Sequence, residues 1–97
     1  MPKIKALETQ SGAMRLLLHL LKGPSYVTLI LDETDIPNIQ LLRSIDLLEK
    51  LKLIQKRVDV STYPKRNIIS LTEKGRAVAL KVQEIEDLLN GDDRYRQ

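Results

Sequence analysis

Ninety-seven residues weighing 11.1 kDa suffice for one domain. They include 18 Leu, 9 Ile and 5 Val, no Phe, Trp or Cys, and one His, which excludes wholesale disorder, a disulfide framework and thiolate or multi-histidine metal sites. The net charge of +3 is unevenly placed: residues 1–36 sum to zero, 37–76 to +5 and 77–97 to −2, so a polyanion would meet a basic patch in mid-chain.

Residues 1–10 read as a short arm or a frayed helical lead-in. Ser11 is the expected cap of a first helix over about 12–22, which Gly23-Pro24 ends. Leu16, Leu17, Leu18, Leu20 and Leu21 surround more than one face of it, so it should be buried on most sides. A second helix is expected over 27–33, with Val27, Ile30 and Leu31 at i, i+3, i+4 spacing. Thr34-Asp35-Ile36 reads as a tight turn in which Asp35 can adopt the left-handed conformation at moderate cost. Pro37 suits the first turn of a third helix over 37–51, whose core stripe is Leu41, Ile45 and Leu48, with Leu42 and Leu51 flanking it.

The period then changes. Residues 53–60 (L-I-Q-K-R-V-D-V) are β-branched and partly alternating, and 68–71 (I-I-S-L) form a second short strand. Between them S-T-Y-P-K-R-N breaks the chain, giving a hairpin with a basic tip. Thr72 caps a last helix over 73–89, closed by Asn90-Gly91, with Val78, Val82, Ile85 and Leu89 in a stripe spaced 4, 3, 4. Residues 91–97 form a charged tail expected to be mobile. No signal peptide and no apolar run of membrane-spanning length is visible, so a soluble, cytoplasmic protein without membrane contact is expected.

Two helices joined by a short turn and followed by a basic hairpin form a helix-turn-helix with a wing. The stretches I-P-N-I-Q-L-L-R-S-I-D-L-L-E-K-L-K-L-I and Y-P-K-R-N-I-I-S-L-T-E-K-G-R resemble winged-helix transcriptional regulators of the MarR- and PadR-like kind found in bacteria and archaea. The resemblance covers about residues 11–89. It departs from the common pattern at Asp35 and Lys52, where those regulators often carry glycine, and both departures suggest slightly altered turns rather than a different fold. It implies an α+β, mostly helical fold: a three-helix helix-turn-helix core with a β-hairpin wing over 11–71, then a C-terminal dimerisation helix over 72–90.

On a helical projection of the third helix, Gln40, Arg43, Leu47 and Lys50 fall together, flanked by Asn38 and Ser44. These six are the candidate DNA-contacting residues of that helix: a glutamine amide suits adenine and an arginine fork suits guanine. Leu47 meets either a thymine methyl or another part of the protein. Arg43 has a purely structural alternative in an ion pair with Asp46 or Glu49. In the wing, Lys65 and Arg66 at the tip suit phosphates or the minor groove, and Tyr63, stiffened by Pro64, a phosphate. His19 reads as a core or interface histidine rather than a ligand.

The expected partner is double-stranded DNA, bound by a homodimer through Leu17, Leu18, Leu21, Val78, Val82, Ile85 and Leu89. The same stripes alternatively cover only the monomer core. No catalysis, metal or cofactor is expected, and the sequence shows no effector pocket. The functional rivals are a winged-helix protein-interaction module, presenting Leu29, Leu47 and the last helix, and a chromatin protein with little sequence preference.

Overall fold

A computed structural model describes residues 3–61 and 63–91. It contains α1 (Ile4–Thr9), α2 (Ala13–Leu20), α3 (Val27–Glu33), α4 (Asn38–Lys50), β1 (Ile54–Asp59), β2 (Arg66–Leu71) and α5 (Glu73–Leu89). The order is helix-turn-helix followed by a hairpin and a final helix, the winged arrangement implied by the resemblance. The tail expected to be mobile, from residue 92 onward, lies outside the described residues, as do Met1 and Pro2. No helix among the described residues is long and apolar enough to cross a membrane.

The core forms where the apolar stripes of α2, α3 and α4 meet the inner face of the hairpin. Leu16, Leu17, Ile30, Leu41, Leu48 and Ile69 are fully buried there, with Ala13, Leu20, Ile36, Ile45, Leu53, Ile54 and Ala79 around them. The lead-in is helical: α1 packs on α2 and brings Leu7 against the core. The crowded α2 meets α4 on one side and α5 on the other, and so a helix apolar on most sides is satisfied largely within one chain.

Three local expectations are corrected. Ser11 does not cap α2. Gly12 holds the cap position at φ +91, and a Cβ there would lie 2.9 Å from Ile36 Cγ2. Asp35 is not left-handed; the turn is extended and is fixed through Thr34. The Thr34 hydroxyl donates to the Ile30 carbonyl (2.7 Å) and accepts from the Ile36 amide (3.3 Å), while Arg15 holds Asp35 in an ion pair at 2.6 Å. Pro37 is the residue before α4 rather than its first member, with ψ 151.

Lys52 is the one non-glycine residue of positive φ (+62) among the described residues. The Lys52 amide donates to the Glu49 carbonyl and the Leu53 amide to the Leu48 carbonyl, both at 2.9 Å. These two bonds make a Schellman ending of α4, with Leu53 and Leu48 as its apolar contact. Lys52→Gly should therefore stabilise the protein by about 0.5–1 kcal/mol, since glycine lacks the Cβ penalty of the left-handed region. Thermal unfolding should show a rise of about 2–6 °C; Lys52→Ala, which keeps the Cβ, should show no gain.

The hairpin pairs antiparallel in a register running from Ile54 opposite Leu71 to Asp59 opposite Arg66. Ser25 adds a short third rung at the far edge of β2. Its amide donates to the Ile69 carbonyl (2.9 Å), and its carbonyl accepts from the Ile69 amide (2.7 Å). The β2 edge of the wing is thus tied to the segment that leads into α3.

Candidate nucleic-acid interface

The helical projection places the buried side of α4 at Leu41, Ser44, Ile45 and Leu48. Ser44 is a correction: it is 0 % exposed, and its hydroxyl donates to the Ser11 carbonyl at 3.1 Å, pinning α4 to the start of α2. It is out of reach of any duplex. Including Ser44 in the stripe rotates the outward face. Its exposed members are Asn38, Ile39, Leu42, Arg43, Asp46 and Lys50, while Gln40 and Leu47 are half-buried on its margin. Leu47 packs against the core, which favours its structural reading. Ile39 (63 % exposed) and Leu42 (49 %), the latter expected to flank the core, were not among the expected site residues. The serine misled the projection, because a polar residue inside a leucine stripe looks like the edge of the outer face.

Charge on this face is selectively neutralised. Lys50 pairs with Asp46 one turn earlier at 3.0 Å, and Glu49 pairs with Lys56 of β1 at 3.2 Å. Both carboxylates proposed as structural partners of Arg43 are therefore engaged elsewhere, and Arg43 makes no ion pair among the described residues. An exposed guanidinium fork without a partner is matched to a planar acceptor such as a guanine edge or a phosphate.

The wing differs from expectation in one respect. Arg66 is not at the tip: β2 starts there, and its guanidinium lies 4.4 Å from the centre of the Tyr26 ring. This cation–π contact, worth about 0.5–1 kcal/mol at an exposed site, anchors the turn end of β2 to Tyr26 at the start of α3. Tyr63 is fully exposed, and the Tyr63–Pro64 bond is cis. Lys65 is exposed and makes no ion pair among the described residues, so it is the free cation of the turn. Asp59 accepts from the Ser61 hydroxyl (2.6 Å) and amide (3.0 Å), and these bonds, the hydroxyl first, hold its carboxyl below the usual range. The charged carboxylate offsets part of the positive field of Arg57 and Arg66 nearby. Alternation puts Lys56 on the inner face with Glu49 and leaves Arg57 outward.

His19 is nearly enclosed, its side chain 8 % exposed, and its Nε2 lies 3.3 Å from Glu33 Oε1. It links α2 to α3. Among the described residues no group of His, Asp and Glu is arranged to hold a metal ion.

The residues expected to form a subunit contact divide. Leu17 is a correction: it is fully buried in the monomer core and cannot touch a second chain. Leu18, Leu21, Val78 and Val82 are half-buried, with Leu21 and Val78 packed on the core. Ile85 and Leu89 are exposed, as are Leu80 and Leu88 of α5 and Ile4 of α1. Beside the start of α5 a groove of about 520 Å³ has an apolar floor of Ile4, Leu7, Leu51, Leu53 and Val78 under Lys3, Lys50, Lys52 and Lys74.

A family model described as HxlR-like helix-turn-helix matches residues 9–95. Among solved structures, the chain is similar to the reduced form of the transcriptional regulator YodB from B. subtilis. That match has 23 % identity and a TM-score of 0.71 and covers 97 % of this chain and 91 % of that one. It is also similar to the adhesin competence repressor AdcR from Streptococcus pyogenes, at 19 % identity and a TM-score of 0.73, over 90 % of this chain and 67 % of that one. A PadR-like transcription factor from Bacteroides fragilis matches at 21 % identity and a TM-score of 0.71, over 92 % and 93 %. At these identities the likeness is one of fold. No curated protein matches the sequence.

Proposed function

The chain belongs to the HxlR-like helix-turn-helix family, and from that membership we propose that it is a homodimeric, sequence-specific DNA-binding regulator of transcription rather than an enzyme. The recognition helix α4 enters the major groove, and the wing lies along the backbone or minor groove. The observation that carries this reading is Arg43: an exposed guanidinium on the outer face of α4 whose neighbouring carboxylates are already committed to Lys50 and Lys56. Of the residues expected to contact DNA, Asn38, Gln40, Arg43, Lys50, Tyr63 and Lys65 remain assigned to that role. Arg66 acts chiefly by holding the wing in place.

A homodimer is supported by two complementary surfaces. The end of α5 exposes Ile85, Leu88 and Leu89 between Glu84, Glu86 and Asp87. The groove at the start of α5 offers an apolar floor with the opposite charge, supplied by Lys3, Lys52 and Lys74. A two-fold axis lets each copy place its acidic end in the other's groove, an isologous contact. The resulting pair of recognition helices suits half-sites about one helical turn apart. Regulation is by occupancy of a promoter.

Titration of duplex DNA tests this. A duplex selected from a random library should bind two chains, with affinity falling steeply as salt rises. Selected half-sites should be inverted repeats, and they should bind at least about a thousand-fold more tightly than random duplex. The absence of salt-sensitive binding at micromolar protein would favour a protein-interaction module. Salt-sensitive binding without sequence preference would mark a chromatin protein.

A further inference from the structure

The outer face of α4 carries two large aliphatic side chains that the core leaves exposed: Ile39, and Leu42 at the edge of a shallow groove beside Thr9, Gln10 and Leu47. Ile39 and Leu42 are more exposed than the leucines that flank the core, and they adjoin the unpaired Arg43. They stand three residues apart, so they are neighbours on one helical face, displaced by about 4.5 Å along the axis. That displacement spans between one and two base steps of about 3.4 Å. The remaining exposed members of the face are polar: Asn38, Arg43 and the Asp46–Lys50 pair.

In the major groove the one apolar group among the base edges is the 5-methyl of thymine. We infer that Ile39 and Leu42 are specificity-determining residues that read thymine methyls on neighbouring base pairs, beside the guanine taken by Arg43. The inference rests on the DNA-binding reading and refines it. The chemistry is complementary on both sides. Each aliphatic group loses water against a methyl, while the adjacent guanidinium keeps the helix in register through directed hydrogen bonds. A cytosine at the same step presents no methyl and an amino group that an aliphatic side chain would strip of water, so lost contact area and an unpaired donor both count against it.

The test replaces thymine by uracil, which pairs identically and lacks only the methyl. A duplex selected from a random library is prepared with thymine or with uracil at each thymine position of one half-site. Wild-type protein should bind about four-fold more weakly for each contacted methyl removed. Ile39→Ala and Leu42→Ala should each bind the thymine duplex about that much more weakly and become indifferent to uracil at one position. Both residues are exposed, so the variants should melt as the wild type does. Uracil sensitivity that persists unchanged in both variants reflects duplex shape and overturns the assignment. So does a wild-type protein indifferent to uracil at every position, or a selected half-site with no thymine within two base pairs of a guanine. Those outcomes leave the DNA-binding reading standing. A protein that binds no duplex in a salt-sensitive way overturns both.

Discussion

Replacing Gly75 with alanine should lower stability by at least about 3 kcal/mol, the range of a severe overpacking change. For a domain of this size that is a fall of more than about 12 °C in Tm. Helix propensity predicts the opposite sign, because alanine exceeds glycine by about 1 kcal/mol inside a helix. The close approach of the chain decides the matter. A Cβ on Gly75 would lie 1.7 Å from the Leu53 carbonyl oxygen and 2.6 Å from its carbon, and both are backbone atoms that cannot swing aside. The contact is fixed from three directions. The Thr72 amide donates to the Leu53 carbonyl (3.0 Å), the Thr72 hydroxyl donates to the Lys52 carbonyl (2.7 Å), and the Gly75 amide donates back to that hydroxyl (2.9 Å). Thr72 thus caps α5 and sews it to the loop before β1. Gly91→Ala is the control, with positive φ (+97) and nothing within 4 Å of its Cβ. It should cost about 1 kcal/mol from backbone conformation alone. Equal effects of the two substitutions would show that crowding at Leu53 is not what requires the glycine.

Arg43→Ala should weaken binding to a selected duplex by about 10- to 100-fold, the worth of one bidentate base contact. Affinity for random duplex should change far less. Arg43→Lys separates the two components: it keeps the charge and loses the fork. It should hold non-specific affinity near the wild-type value while losing most of the discrimination. Lys65→Ala should behave differently, weakening all duplexes alike and reducing the slope of log affinity against log salt by about 0.9. Arg66→Ala removes a charge and also the contact with Tyr26, so its effect should include a looser wing, visible as faster amide exchange around Ser25 and Ile69. If Arg43→Ala lowered both affinities equally, the arginine would be a phosphate contact, and base readout would lie elsewhere on the face.

Periodicity revealed the elements well. The α3 boundaries agree with the expected ones, and α2, α4, α5 and β1 differ by at most two residues at any end. Strong stripes and the turn formers between them leave few alternatives for a chain this short. The expected fold survives the corrections at Ser11 and Asp35 because those corrections concern how each turn is held. Each turn has a partner distant in sequence: Ser44 bonds Ser11 across 33 positions, and Arg15 reaches Asp35 across 20, beside the local bonds of Thr34. Local propensity carries no information about such partners. Lys52 is the instructive case. Lysine in place of the usual glycine suggests an altered turn, yet position 52 keeps the left-handed conformation that suits glycine, because two backbone hydrogen bonds and the packing of Leu48 and Leu53 in the core close the helix around it.

The candidate site was legible in outline and misplaced in detail. A projection that treats every serine as a surface residue keeps Ser44 outside and sends Ile39 and Leu42 out of view. Arg66 reads as a tip residue until the register with Asp59 extends β2 by two positions. The sequence alone determined the order of helices and strands, the core stripe of Leu41, Ile45 and Leu48 in α4 and the central position of the basic surplus, because these follow from the spacing of apolar and charged residues along the chain. Only the tertiary structure decided which face of α4 is wet, which carboxylates leave Arg43 unpaired, and why position 75 admits no side chain. Those facts depend on atoms far apart in sequence brought within a few ångströms, where packing and hydrogen bonding choose among faces that the linear pattern leaves nearly equivalent.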